Sequence, residues 1–297
     1  MSAVAGQVVL ITGVTSGIGR SVAERLAGAG ARVVGCARDA ERLAAVGRAE
    51  PGWDLRRADL TDPAQRAGLV EGVLADHGRI DALVANAGIG WEGLVEDMSG
   101  DDVEQIYRTN VIAPVDLARR VLPGMLERRD GAIVFTSSMA AFASIPPLTV
   151  YCSSKYAVDG FVEGLRREVW TRGVRVHSVN PGPIRTEWLA RSLGVRPAEG
   201  EIEDGPGADG ARVSRSPGAP VEWVAAAVHR SLVRPWSRTV SVPRVVGLSR
   251  LAAVQPVRTV LDVAAGVSAG RIAHRGRRIA EDHTPQPERG GPLSRPR

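Results

Sequence analysis

Short, wholly apolar runs alternate with amphipathic stretches along most of the chain. Val8–Ile11, Arg32–Cys36, Leu55–Ala58, Ala82–Ala85, Ala132–Ser137 and Arg175–Val179 predict strands. Ser16–Ala29, Ala40–Arg48, Pro63–His77, a stretch near Asp101–Arg129, and Tyr151–Thr171 predict helices between them. Segments such as VVLI and AIVF lack polar alternation, as expected of parallel strands covered on both faces. Repeated strand–helix alternation predicts an α/β fold: a Rossmann-type, doubly wound parallel sheet in a single domain. The pattern breaks after Pro181. Residues 194–220 are rich in Gly, Pro and acids and predict a lid or a disordered loop. Helix Val221–Val233 and strand Arg238–Val242 then resume the order. Residues 244–273 are apolar with spaced arginines and predict helix interrupted by Pro256; from about Ala280 the chain is polar and Pro/Gly-rich. The expected organisation is a main domain over 1–245 with a lid at about 188–220, a helical extension over 246–279, and a disordered basic tail over 280–297.

Composition narrows the classes. No apolar run reaches eighteen residues, so no membrane span is expected, and no leader is visible; a cytoplasmic location is expected. Two cysteines, Cys36 and Cys152, make no disulfide framework, and five scattered histidines suggest no metal site. The net charge of +5 is concentrated in the tail, where residues 271–297 hold seven arginines against three acids. A basic tail on a nearly neutral body argues against a nucleic-acid partner. The rare residues say more. Lys155 is the only lysine beside 37 arginines, and Asn86, Asn110 and Asn180 are the only asparagines. An ammonium can change its charge state and present a compact cation, which a guanidinium cannot do.

Three patterns carry chemistry. Thr12–Gly19 reads TGVTSGIG between a strand and a helix. Glycines at 13, 17 and 19 permit a tight turn and let a pyrophosphate approach the N–H groups of the helix N-terminus. Tyr151 and Lys155 stand at i and i+4, on one helical face, where an ammonium would favour phenolate and lower the tyrosine pKa. Ser138 follows a strand, at the carboxyl end where open α/β sheets place their sites, and could hold a carbonyl beside the tyrosine.

Together these residues resemble the short-chain dehydrogenase/reductase family over about residues 5–245. The matching pieces are TGVTSGIG, Asp59-Leu60, Asn86-Ala87-Gly88, Asn110, Ser138, the Tyr151/Lys155 pair, and Asn180-Pro181-Gly182 followed by Thr186. The resemblance implies that 1–245 is a dinucleotide-binding catalytic domain. It implies Tyr151 as general acid and base, Lys155 as the group that lowers its pKa and binds the nicotinamide ribose, and Ser138 as the carbonyl's partner. Asn110 would sit at a kinked helix and hold a water linking Lys155 to solvent. Gly13, Thr15, Ser16, Gly17, Ile18 and Gly19 would hold the pyrophosphate. Asp59 and Leu60 would border the adenine, Asn86, Ala87 and Gly88 the cofactor backbone, and Pro181, Gly182, Ile184 and Thr186 the nicotinamide.

The expected cofactor is NADP(H) rather than NAD(H). Ala37 stands where an NAD-selective member carries an acid for the ribose 2′-hydroxyl, and Arg38 follows with a fork suited to phosphate oxygens. Asp39 is expected to cap the next helix instead of facing the pocket. The expected substrate is a small alcohol or carbonyl compound, with Trp91 and Trp188 as candidates for an apolar wall. An NAD-dependent dehydrogenase and a non-catalytic dinucleotide sensor remain the alternatives. A homo-oligomer is expected. Residues 244–273 would cover the sheet edge or cleft, make a subunit contact, or lie on a membrane surface through Arg244, Arg250 and Arg258.

Overall fold

The computed structural model describes residues 3–186 and 218–253. Seven parallel strands form one sheet: β1 (Val8–Thr12), β2 (Arg32–Ala37), β3 (Asp54–Arg57), β4 (Ala82–Ala85), β5 (Gly131–Thr136), β6 (Val174–Pro181) and β7 (Thr239–Val242). Their order is β3-β2-β1-β4-β5-β6-β7. The chain works outward from β1 to β3, then returns beside β1 with β4, so the sheet has a topological switch point between β1 and β4. This is the expected doubly wound α/β fold.

Helices cover both faces. Leu10, Leu83, Ile133 and Val176 pack against α3 (Pro63–His77), α5 (Ala113–Arg128) and α6 (Thr149–Glu168). Val9, Ile11, Val84, Val134 and Val179 pack on the other face against α1 (Gly17–Gly28) and α7 (Val221–Leu232). The central strands are buried on both faces, which accounts for their unbroken apolar sequence. Helix ends follow local chemistry. The Asp62 side chain accepts from the amides of Ala64 and Gln65, Pro63 opens α3, and Gly78 closes it in the left-handed conformation. Asp39 caps α2 (Ala40–Ala49) as expected, accepting from the Arg42 amide.

Two elements differ from expectation. The stretch near 101–129 is not one helix. α4 (Gly100–Tyr107) passes into a π-helical turn over Arg108–Ile112 before α5 begins. The expected boundary at 245 also falls inside a single element, because Arg244–Ala253 forms 3₁₀ turns directly after β7. The rest of the extension, the tail and Trp188 lie outside the described residues. Of the lid, Gly218–Pro220 is described, and Ala219 pairs with Ile184 in an isolated bridge. No helix among the described residues is long and apolar enough to cross a membrane.

His177 on β6 is a burial cost built into the core. Strand alternation places it on the Val179 face, and both ring nitrogens lack a hydrogen-bond partner among the described residues. Burial, reinforced by Arg175, Arg166 and Arg238, pushes its pKa down to about 3. The unfolded chain therefore binds a proton near pH 6.5 that the folded chain refuses, so stability falls as pH drops from 6.5 toward 3. The expected loss is about 2 kcal/mol between pH 7 and pH 5. Urea unfolding at both pH values measures it, and His177→Leu should flatten the difference. An equally steep loss in the variant would assign it to other groups.

Candidate active site

The loops after β1 to β6 open on one cavity of about 710 Å³ at the carboxyl edge of the sheet. Its first wall is the turn between β1 and α1. Gly13 has φ +75° and Gly17 φ +53°, conformations that favour glycine. A Cβ on Gly19 would lie 2.1 Å from the Gly13 carbonyl oxygen, so only glycine lets α1 start this close to the loop. Thr15, Ser16, Gly17 and Ile18 line the cavity; Gly19 packs behind them and acts through the backbone. Ser16 stands at the N-cap of α1 without capping it. The glycines at 13, 17 and 19 keep this turn's backbone close to the opening amides of α1, an arrangement that fits the diphosphate of a dinucleotide.

All three asparagines brace cavity loops against neighbouring elements. The Asn86 amide nitrogen donates to the Thr12 carbonyl at 3.0 Å. Asn110, on the π-helical turn, donates to the Ile89 carbonyl (2.9 Å) and accepts from its amide (2.8 Å). The same amide nitrogen of Asn110 donates to Ser154 at 3.1 Å. Asn180 donates to the Ser138 carbonyl (3.2 Å) and to Asp159 (2.9 Å). The π turn tips Asn110 inward while leaving it outside the cavity lining, beside Gly88 and Lys155.

Thr12, given no role of its own from sequence, is a further brace. Its hydroxyl oxygen accepts from the amides of both Asn86 and Ala87 at 2.9 Å. Thr12→Val would leave two donors unpaired, at about 1–3 kcal/mol each. The expected result is a destabilisation of at least about 2 kcal/mol by urea unfolding, restored by Thr12→Ser. An unchanged midpoint for Thr12→Val would show that water or a shift of the loop satisfies both amides.

The opposite wall holds Ser138, Tyr151 and Lys155. β5 ends at Thr136, one residue sooner than expected, and Ser138 opens a 3₁₀ turn over Met139–Ala141. Its hydroxyl accepts from the Ala140 amide at 3.1 Å and is also hydrogen-bonded to the Tyr151 hydroxyl. Tyr151 lies in the first turn of α6, and Lys155 sits one turn on, both buried. The Lys155 ammonium donates to the Thr136 carbonyl at 3.1 Å and lies 5.7 Å from the Tyr151 ring centre. Burial pushes the Lys155 pKa down to about 8, with Asp159 opposing. Tyr151 departs from expectation: burial raises its pKa, and the opposing contribution comes from Ser138, not Lys155. Burial disfavours the charged phenolate, while the Lys155 ammonium is engaged by the Thr136 carbonyl.

The far end of the cavity is lined by Ala37, Arg38, Asp39, Arg42, Asp59 and Leu60; Asp39 caps α2 but does not turn away from the pocket as expected, because a residue between the end of β2 and the first turn of α2 also borders the cavity. The Asp59 carboxylate is held by the amide and hydroxyl of Thr61. Arg42 was not anticipated; the signal was its position three residues after Asp39, on the first turn of α2. Pro181, Gly182, Ile184 and Thr186 close the side between the two walls, with Asn86, Ala87 and Gly88 at the centre. Trp91 is buried and absent from the lining; a Cβ on Gly93 would strike its ring, so Trp91 packs against a loop and forms no wall.

The short chain dehydrogenase family model matches residues 7–193. The chain belongs to this family. Over 190 residues it is 39% identical to dehydrogenase/reductase SDR family member 7B of Bos taurus, covering 60% of this chain and 58% of that protein. The chain thus spans less than two thirds of that relative's length. A short-chain dehydrogenase/reductase of Burkholderia phymatum solved in complex with NAD is similar, with TM-score 0.72 and 27% identity over 85% of this chain and 95% of that one. A short-chain dehydrogenase of Sphingobium yanoikuyae solved in complex with NADPH gives TM-score 0.69 and 30% identity, covering 86% and 95%.

Proposed function

We propose that the protein is an NADP(H)-dependent oxidoreductase that interconverts an alcohol and a carbonyl compound. The observation that carries the reading is the Ser138–Tyr151 hydrogen bond beside buried Lys155, facing a glycine cradle across one cavity. A binding protein would need the cradle but not this hydroxyl pair. The nicotinamide supplies or accepts the hydride when bound. The Tyr151 hydroxyl gives its proton to the carbonyl oxygen in reduction and recovers it in oxidation. Ser138 holds the same oxygen and, as the phenol's hydrogen-bond partner, favours the phenolate. Lys155, with its pKa near 8, binds the ribose and supplies positive charge on the tyrosine side. Asn110 and Asn180 act as positioning residues that hold the loops at Ile89 and Ser138.

NADP(H) is favoured over NAD(H) by Ala37, which offers no acceptor to a ribose 2′-hydroxyl, and by Arg38 and Arg42 beside it. Asp39 is committed to capping α2. Similar proteins solved with NAD and with NADPH make this chain's own residues the basis for the choice. Met139, Ala140, Ile145, Leu148 and Cys152 line the cavity together with the tyrosine and favour an uncharged, apolar substrate. A panel of carbonyl and alcohol compounds with each cofactor, followed by absorbance of the reduced nicotinamide, tests the proposal. Turnover with NADPH is expected. Tight NADPH binding without turnover across the panel would favour a sensor.

A further inference from the structure

Four arginines crowd one groove at the free edge of the sheet. Arg230 on α7, Arg234 and Arg238 in the following turn, and Arg244 after β7 line a cavity of about 370 Å³. Among the described residues, no acidic side chain lines it. Elsewhere arginines are commonly paired, but the ion pairs among the described residues involve none of these four. Arg238 is surrounded by positive charge from Arg234, Arg244 and Arg230. Such crowding costs free energy unless an anion comes between the guanidiniums.

The groove is set in apolar surface. Trp223, at its wall, is 52% exposed, Trp236 is 56%, Val245 65% and Leu248 63%. The Arg234 guanidinium lies over the Trp236 ring at 6.0 Å. A soluble phosphate would use the arginines but not these side chains. A second copy docking by a two-fold axis through the groove would bring two arginine clusters together, with no acid between them among the described residues. Mixed tryptophan, aliphatic and arginine surface suits the boundary of an anionic bilayer, where rings sit at headgroup level and cations meet phosphates. The sequence beyond Leu248 continues the same charge, with seven arginines against three acids in 271–297.

We propose that the α7–β7 edge docks on an anionic phospholipid surface, with headgroup phosphates in the arginine groove and Trp223 and Trp236 at the interface. The inference is independent of the oxidoreductase reading, since none of these residues lines the active-site cavity. Flotation of the full chain with phosphatidylcholine vesicles, with and without phosphatidylglycerol, tests it. Binding is expected only with phosphatidylglycerol and should fall as salt rises. The R230Q/R244Q double variant removes two exposed arginines and should weaken partitioning by roughly 25-fold, about fivefold for each charge. R230K/R244K, which keeps the charge, should retain most binding. Equal flotation with both vesicles, no flotation, or undiminished binding by R230Q/R244Q would overturn the proposal. A change of oligomeric size in R230Q/R244Q would overturn it as well, by making the face a subunit contact.

Discussion

Tyr151→Phe is expected to lower kcat by about 10²–10⁴-fold, the usual contribution of a general acid or base. The substitution is conservative everywhere except at the reacting proton. The ring packs against Ala140, Cys152 and Leu148, contacts that phenylalanine retains. The lost hydroxyl bonds Ser138, whose oxygen still accepts from the Ala140 amide, so no buried group is stranded. Melting temperature should therefore move little. Cofactor affinity should also stay close to normal, because the glycine cradle and the Arg38 end are untouched. Measured together, kcat, cofactor binding and melting temperature separate a chemical role from a structural one. A variant that keeps more than roughly a tenth of the wild-type kcat would require another acid.

Arg38→Ala should weaken NADPH affinity by about ten- to a hundredfold, from the 1.5–3 kcal/mol typical of a charge-assisted hydrogen bond, and leave NADH affinity almost unchanged. Arg38 is exposed at the end of β2, so the lower part of that range is expected. Arg42 lines the same end of the cavity from the first turn of α2, and its loss should add to the effect. Asp39 lines the same end, but its carboxylate accepts from the Arg42 amide at 3.0 Å and pairs with the Arg42 guanidinium at 3.5 Å, which offsets its charge toward a phosphate. Fluorescence titration of both cofactors against Arg38→Ala, Arg42→Ala and the double variant measures the effect. Equal losses for NADPH and NADH, or a wild-type preference for NADH, would reverse the cofactor assignment.

The sequence by itself determined the strand–helix order, the doubly wound class and most of the cavity's residues. These are local matters. Apolar runs mark parallel strands, Asp62-Pro63 and Gly78 set both ends of α3, and the Thr12–Gly19 turn needs glycine for reasons of backbone geometry. Active-site residues follow strand ends, so a correct strand order already brings Gly13, Arg38, Asn86, Ser138 and Pro181 to one edge. The tertiary structure alone decided what depends on partners distant in sequence. Thr12 became a brace because β4 lies beside β1, and Asn180 because β6 lies beside the Ser138 turn. The π turn that tips Asn110 inward has no signature in the helical pattern of its segment. Trp91 is buried by its own loop, and Arg42 joins the cavity only once α2 is placed. The Tyr151 pKa shows the physical reason most directly. A neighbour at i+4 is visible in sequence, but desolvation depends on everything packed around the phenol, and what opposes burial is the Ser138 hydroxyl, thirteen residues away, not that neighbour.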